Sequence, residues 1–140
     1  MRPTVAHVAR ALRRSFARDT SCKPSGWSAE NPAFGHCLVA ALVVQDYFGG
    51  LIVCADLSGH YRDGSSAFSS HYWNRIDGRN LDVTRRQFSP WFPYREMLRD
   101  EEDIHVVNRE LEIGPLTHDT YRMLAARVRR HLRAHNDRRR

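Results

Sequence analysis

The stretch Asn31-Pro-Ala-Phe-Gly-His-Cys37-Leu-Val-Ala-Ala-Leu-Val-Val44 sets the architecture. From Cys37 onward it is apolar on nearly every side, which predicts a helix buried at the centre of a domain. The cysteine opens that helix. At a helix start, unpaired backbone N–H groups and the positive end of the dipole favour thiolate, the reactive form of the thiol. Gly49-Gly50 supplies the stop. Leu51-Ile-Val-Cys-Ala-Asp-Leu57 then reads as a core strand, with a polar loop at residues 58–69.

Next comes Ser70-His71-Tyr-Trp-Asn-Arg-Ile-Asp77-Gly78-Arg-Asn-Leu-Asp82-Val-Thr84, a hairpin turning on Asp77-Gly78. With that pair in the turn, Trp73 faces Asp82 and His71 faces Thr84. His71 and Asp82 then lie diagonally on one face, with Cα atoms about 5 to 8 Å apart. Cys37, His71 and Asp82 are thus a thiol nucleophile, its base and the group that orients the base. The buried helix is expected to cross the hairpin face that carries His71. Trp73 shares that face and is expected to touch substrate, while Asn74 points the other way and reads as structural.

Blander readings stand beside these. Most free cysteines are buried structural thiols, and Cys54, mid-strand among apolar neighbours, fits that description. Cys22 lies in a polar loop as a bystander. His36 adjoins Cys37, but neighbours on a helix point about 100° apart, so it is poorly aimed to serve as the base. His60, in a Gly-His-Tyr loop, is a weaker competitor. Trp27 and Trp91 join Trp73 as aromatics able to line a cleft, although aromatics are more often core.

At 140 residues, 41% hydrophobic and 27% charged, the chain reads as one soluble domain spanning 1–135, with a basic tail at 136–140. Thr4 caps a helix whose apolar residues fall at 5, 8, 12 and 16. Residues 19–35 form a long loop, 88–103 are irregular, and a last helix runs from Thr117 to about His135. The formal charge of +6 is uneven, because residues 127–140 hold seven arginines. That end reads as a solvated helix terminus, or as a weak attractant for nucleic acid or an acidic partner. Three cysteines at unpatterned spacing argue against a disulfide framework and against zinc, and point to a reducing cytoplasm. The longest apolar run is too short to span a bilayer, and Arg10, Arg13 and Arg14 interrupt any signal-peptide core. With no phosphate loop, nucleotide fingerprint or metal signature, no cofactor and no metal are expected.

Several blocks occur together in order: Trp27, Asn31-Pro32, Gly35-His36-Cys37, Ala41-Leu-Val-Val-Gln-Asp-Tyr-Phe-Gly-Gly50, His71-Tyr-Trp-Asn74 and Asp82-Val-Thr-Arg-Arg-Gln-Phe88. Over residues 20–135 or so they resemble the YunG-like group of small bacterial proteins, departing from it at His36, where Gln is expected. The helix-and-hairpin plan in turn resembles the papain-like and transglutaminase-like cysteine enzymes. That likeness implies an α+β fold with a papain-like core. Its Cys-bearing helix would pack on an antiparallel sheet of about four to six strands, flanked by N- and C-terminal helices. It also implies Asn31, six residues before Cys37, as an oxyanion donor, although Asn31-Pro32 reads equally as turn chemistry. Among the aromatics, Trp73 on the His71 face, with Trp27, is expected to contact substrate. The expected activity is hydrolysis of an amide or peptide-like bond, in a small molecule or a protein, through a thioester. An acyl or amide transferase using the same triad, and a non-enzymatic binding module of the same fold, remain as alternatives.

Overall fold

The computed structural model describes residues 2–89 and 104–140. Most of the stretch expected to be irregular, Trp91 included, lies outside them. The fold is α+β, an antiparallel sheet with flanking helices. In chain order the elements are α1 (Val5–Ser15), α2 (Cys37–Phe48), β1 (Leu51–His60), β2 (Ser66–Ile76), β3 (Arg79–Leu81), β4 (His105–Val106), α3 (Arg109–Glu112) and α4 (Pro115–Arg138). The strands form one sheet in the order β3-β2-β1-β4.

Each helix end has a local cause. Thr4 caps α1: its hydroxyl accepts from the His7 amide, and the His7 ring accepts from the Thr4 amide. Gly49 ends α2, its N–H donating to the Gln45 carbonyl. Pro115 opens α4 at a position whose N–H would have no helical partner. This last helix is longer than the sequence suggests and carries residues 136–138 within it.

The helix α2 is the hub. Val39, Ala40, Val43 and Val44 pack with Val8, Leu12 and Phe16 of the N-terminal region and with Leu124, Ala125 and Val128 of α4. On another side, Ala41 and Leu42 meet Ile52, Cys54 and Tyr72 of the sheet. Asp19, in the turn Arg18–Thr20 after α1, forms two bonds to the Arg127 guanidinium at 2.7 and 2.5 Å, tying the long loop to α4.

Two sheet details differ from the sequence reading. The polar residues 58–69 are not one loop: β1 runs on to His60 and β2 begins at Ser66, closed by a Tyr61 N–H to Ser65 carbonyl bond of 2.9 Å. Pairing between backbones sustains these strands, so Ser and Gly there do not end them. The second difference concerns faces. The helix α2 packs on the side of β2 that carries Tyr72, Asn74 and Ile76, and the Asn74 amide donates to the Ala41 carbonyl at 2.9 Å. Trp73 lies on the other side with Val53, Ala55 and Ile104. The helix therefore does not cross the face of His71 and Trp73, contrary to expectation. Asn74 is structural, as its alternation implies.

Candidate active site

The turn after β2 is tight. Asp77 and Gly78 both have positive φ, 50° and 74°, as a two-residue hairpin turn of the mirror-image type requires. Ile76 pairs with Arg79, Arg75 with Asn80 and Asn74 with Leu81. The strand β3 stops there, so at His71 β2 has no β3 partner and its edge is open to the segment that follows Leu81. Asp82 turns that segment inward: its Oδ1 accepts from the Thr84 amide and hydroxyl, both at 3.1 Å. The other carboxylate oxygen, Oδ2, lies 2.6 Å from Nε2 of His71. Both side chains are buried, at 1% and 6% exposure.

This pair fixes the tautomer. With Nε2–H given to Asp82, the lone pair of a neutral ring sits on Nδ1. Burial alone pushes the His71 pKa down. The hydrogen bonds to Asp82 and Cys37 and the negative charge of the carboxylate outweigh it and raise the pKa to about 9. The arrangement favours the imidazolium form of His71, with the half-buried Cys37 thiol among its partners. Aromatic rings hold it in place: Trp73 stacks on it at 5.8 Å, and Phe88 meets it edge-on at 4.9 Å.

Cys37 is the first residue of α2, and His36 at the cap position supplies no side-chain cap. The first-turn N–H groups thus lack the capping oxygen that a Ser, Thr, Asp or Asn would give. His36 is fully buried against Phe16, ring centroids 4.3 Å apart. Its Nδ1–H donates to the Phe34 carbonyl at 3.0 Å, and Nε2 accepts from the Thr20 hydroxyl at 2.8 Å. Burial drives its pKa down to about 4, so this second histidine is neutral.

The remaining candidates fall in different places. Asn31 donates from Nδ2 to the Gln87 carbonyl at 3.0 Å, binding the loop before Cys37 to the segment after Asp82. Its Oδ1 is buried without a partner among the described residues. Asn31 lines a cavity of about 550 Å³ with Phe34, Tyr61 and Arg62. Trp73 is 2% exposed and donates to Asn80 at 2.9 Å, so it supports the imidazole rather than presenting an open wall to substrate. Trp27 is half-buried, donates to the Pro32 carbonyl at 3.0 Å and lies beneath the Arg18 guanidinium. Among the described residues no group of three or more His, Cys, Asp or Glu could hold a metal ion. No helix among them is long and apolar enough to cross a membrane.

Three positioning residues escape a sequence reading centred on chemistry. Gly35 has φ +74°, and a Cβ there would lie 2.2 Å from Ser21 Oγ, while its carbonyl accepts from the Cys22 amide at 2.8 Å. It sets the path into His36-Cys37, and a glycine two residues before a candidate nucleophile was the available signal. Thr20 fixes the His36 ring. Phe88 buttresses the His71 ring, and nothing local in sequence points to that contact.

The model of the YunG protein family matches residues 4–133. A protein of Bacillus subtilis (strain 168) named "Uncharacterized protein YunG" is 32% identical over 104 residues, covering 74% of this chain and 80% of that protein. No solved structure gives a significant match.

Proposed function

The chain belongs to the YunG family, and for it we propose a cysteine hydrolase of amide or peptide-like bonds, built on a papain-like core and working in a reducing cytoplasm. One observation carries the reading: a buried imidazole held by a carboxylate at 2.6 Å, with the thiol of a helix-opening cysteine acting on the same ring. Structural histidines are commonly satisfied by neutral groups, as His36 is. A buried cationic histidine beside a thiol is the arrangement that sustains a thiolate–imidazolium pair.

In the proposed cycle the Cys37 sulfur attacks the substrate carbonyl carbon and forms the C–S bond. The developing oxyanion is met by N–H groups of the uncapped first turn of α2, since the Asn31 amide is directed at Gln87. His71 gives its proton to the departing amine as the C–N bond breaks. The neutral ring then takes a proton from water, whose oxygen attacks the thioester. The acid leaves, and the thiolate and imidazolium are restored. Asp82 stays ionised throughout and keeps the ring oriented.

Limited alkylation with iodoacetamide, followed by peptide mass spectrometry between pH 5 and 9, tests the premise. Cys37 should be labelled ahead of Cys54, whose thiol burial pushes up, and ahead of exposed Cys22, with a rate that persists below pH 7. Faster labelling of either other thiol below pH 7 removes the reading. Incubation with a panel of acylated amines should then leave a mass increment on Cys37 that water discharges, and none on Cys37→Ala.

A further inference from the structure

Away from this site, residues at and before the start of α1, Tyr47 of α2 and the C-terminal part of α4 line a half-open pocket of about 200 Å³. Arg2, Arg129, Arg133 and Arg139 line it, together with the imidazoles of His7 and His135. None of its lining residues is acidic, and none of these four arginines has an ion pair among the described residues. We propose that this cavity is a binding site for a compact phosphate-bearing anion, of the size of a di- or triphosphate group.

Four observations converge on that class. The first is uncompensated charge in a concave place. These four exposed arginines border one small volume with no acidic lining residue, where an anion would relieve their mutual repulsion. The crowding is felt by His135, whose pKa is lowered by burial and then by Arg139, His7, Arg10 and Arg138.

The second is an orphaned ring nitrogen. His135 Nε2 is shielded from solvent and has no hydrogen-bond partner among the described residues. A buried polar atom of this kind calls for a ligand or an ordered water. The third is a preset donor. Thr4 N–H donates to Nδ1 of His7 in the capping box, so the hydrogen of the neutral His7 ring resides on Nε2. His7 and His135 pack with centroids 4.7 Å apart. This aligns two imidazoles beside the guanidinium groups, whose planar forks suit phosphate oxygens.

The fourth is size. A volume of about 200 Å³ is below the roughly 300 Å³ at which organic-ligand pockets begin, and it fits one to three phosphate groups. A pocket of this size favours a small anion over a nucleic-acid strand, which would need an extended track. Tyr47 and Leu132 add an apolar wall, enough for a short organic substituent next to the phosphates.

The test uses the full chain with inorganic pyrophosphate, ATP and a twenty-residue oligothymidylate as probes, measured by titration calorimetry at 150 mM salt. Pyrophosphate and ATP should bind at one site per chain. Arg133→Ala and Arg129→Ala should each weaken them at least tenfold. Arg130→Ala is the control, because it removes the same charge from the same helix without lining the cavity, and it should change affinity by less than twofold. Thermal melts of each variant separate loss of the site from loss of the fold, and Arg133→Lys, which keeps the charge but not the fork, should give an intermediate affinity. Absence of pyrophosphate and ATP binding to the parent chain overturns the proposal. So does equal weakening by all three alanine variants with tighter binding of the oligothymidylate, the pattern of unspecific polyanion attraction with its steep salt dependence.

Discussion

His36 precedes Cys37 in sequence and His71 counts it among its partners; both are buried to within 1% of full exclusion from solvent, yet their pKa values move in opposite directions. Burial pushes both pKa values down. For His36 nothing strong opposes it: a hydroxyl and a backbone carbonyl satisfy a neutral ring without stabilising a cation, and the pKa falls to about 4. For His71 a carboxylate at 2.6 Å, with the Cys37 thiol beside it, reverses the sign and the pKa rises to about 9. Burial therefore does not define the job of a histidine; the formal charge of its partner does. One ring is a peg that seats the loop before α2. The other is held by a carboxylate and is the proton carrier of the proposed cycle.

The most forceful attack on this contrast exchanges the two rings' consequences. His71→Ala should lower the Cys37 alkylation rate at pH 6 by about 100-fold, the low end of what a positioned acid–base group contributes. His36→Gln should change it only a few-fold. Equal losses from the two variants, measured by timed iodoacetamide labelling, would erase the distinction between peg and carrier.

Asp82→Ala should destabilise the fold by about 3 to 5 kcal/mol, because it strands a buried imidazolium without its counter-charge. Urea unfolding measures this, and a change below about 1 kcal/mol would show that the pair is not held as tightly as 2.6 Å implies.

The pH dependence of stability sharpens the comparison further, with opposite signs for the two rings. The His71 pKa is raised above its ordinary 6.5, so its contribution is full below pH 6.5 and lost as pH climbs through about 9. The His36 pKa is depressed, so its contribution is present above pH 6.5 and lost as pH falls through about 4. Each limb is worth about 3 kcal/mol. His36→Gln should flatten the acid limb and leave the alkaline one. Histidine ring NMR between pH 4 and 10 should find His71 protonated at pH 7 and His36 neutral.

The smallest effect is expected from deleting residues 136–140. This takes Asn136 and Arg139 from the anion cavity but no described contact from Cys37, His71 or Asp82. Cys37 labelling should stay within twofold of the full chain.

Much of this was legible in particular residues. The continuous apolar run after Cys37 placed a buried helix, Thr4 and Gly49 marked helix ends, and Asp77-Gly78 fixed a hairpin whose register follows from the turn alone. That register is what lets Asp82 reach His71. The span of β1 and β2 was less legible, because Ser58, Gly59 and Ser65 to Ser70 have the composition of a loop, while pairing to a neighbouring strand is not written in either strand by itself. The place of Asn31 was misleading in another way. Its spacing from Cys37 is local, but its amide is claimed by Gln87, a residue 56 positions away.

The sequence by itself determined which residues are candidates for the proposed chemistry, where α2 begins, and the hairpin turn, because capping, hydrophobic period and turn geometry act over a few residues. Tertiary structure decided the rest. It set α2 on the Asn74 face rather than the His71 face, ended β3 early enough for Asp82 to fold back, and gave one buried histidine a carboxylate and the other a hydroxyl. Those outcomes depend on desolvation and on charges brought together from distant parts of the chain, and neither quantity exists until the chain has folded.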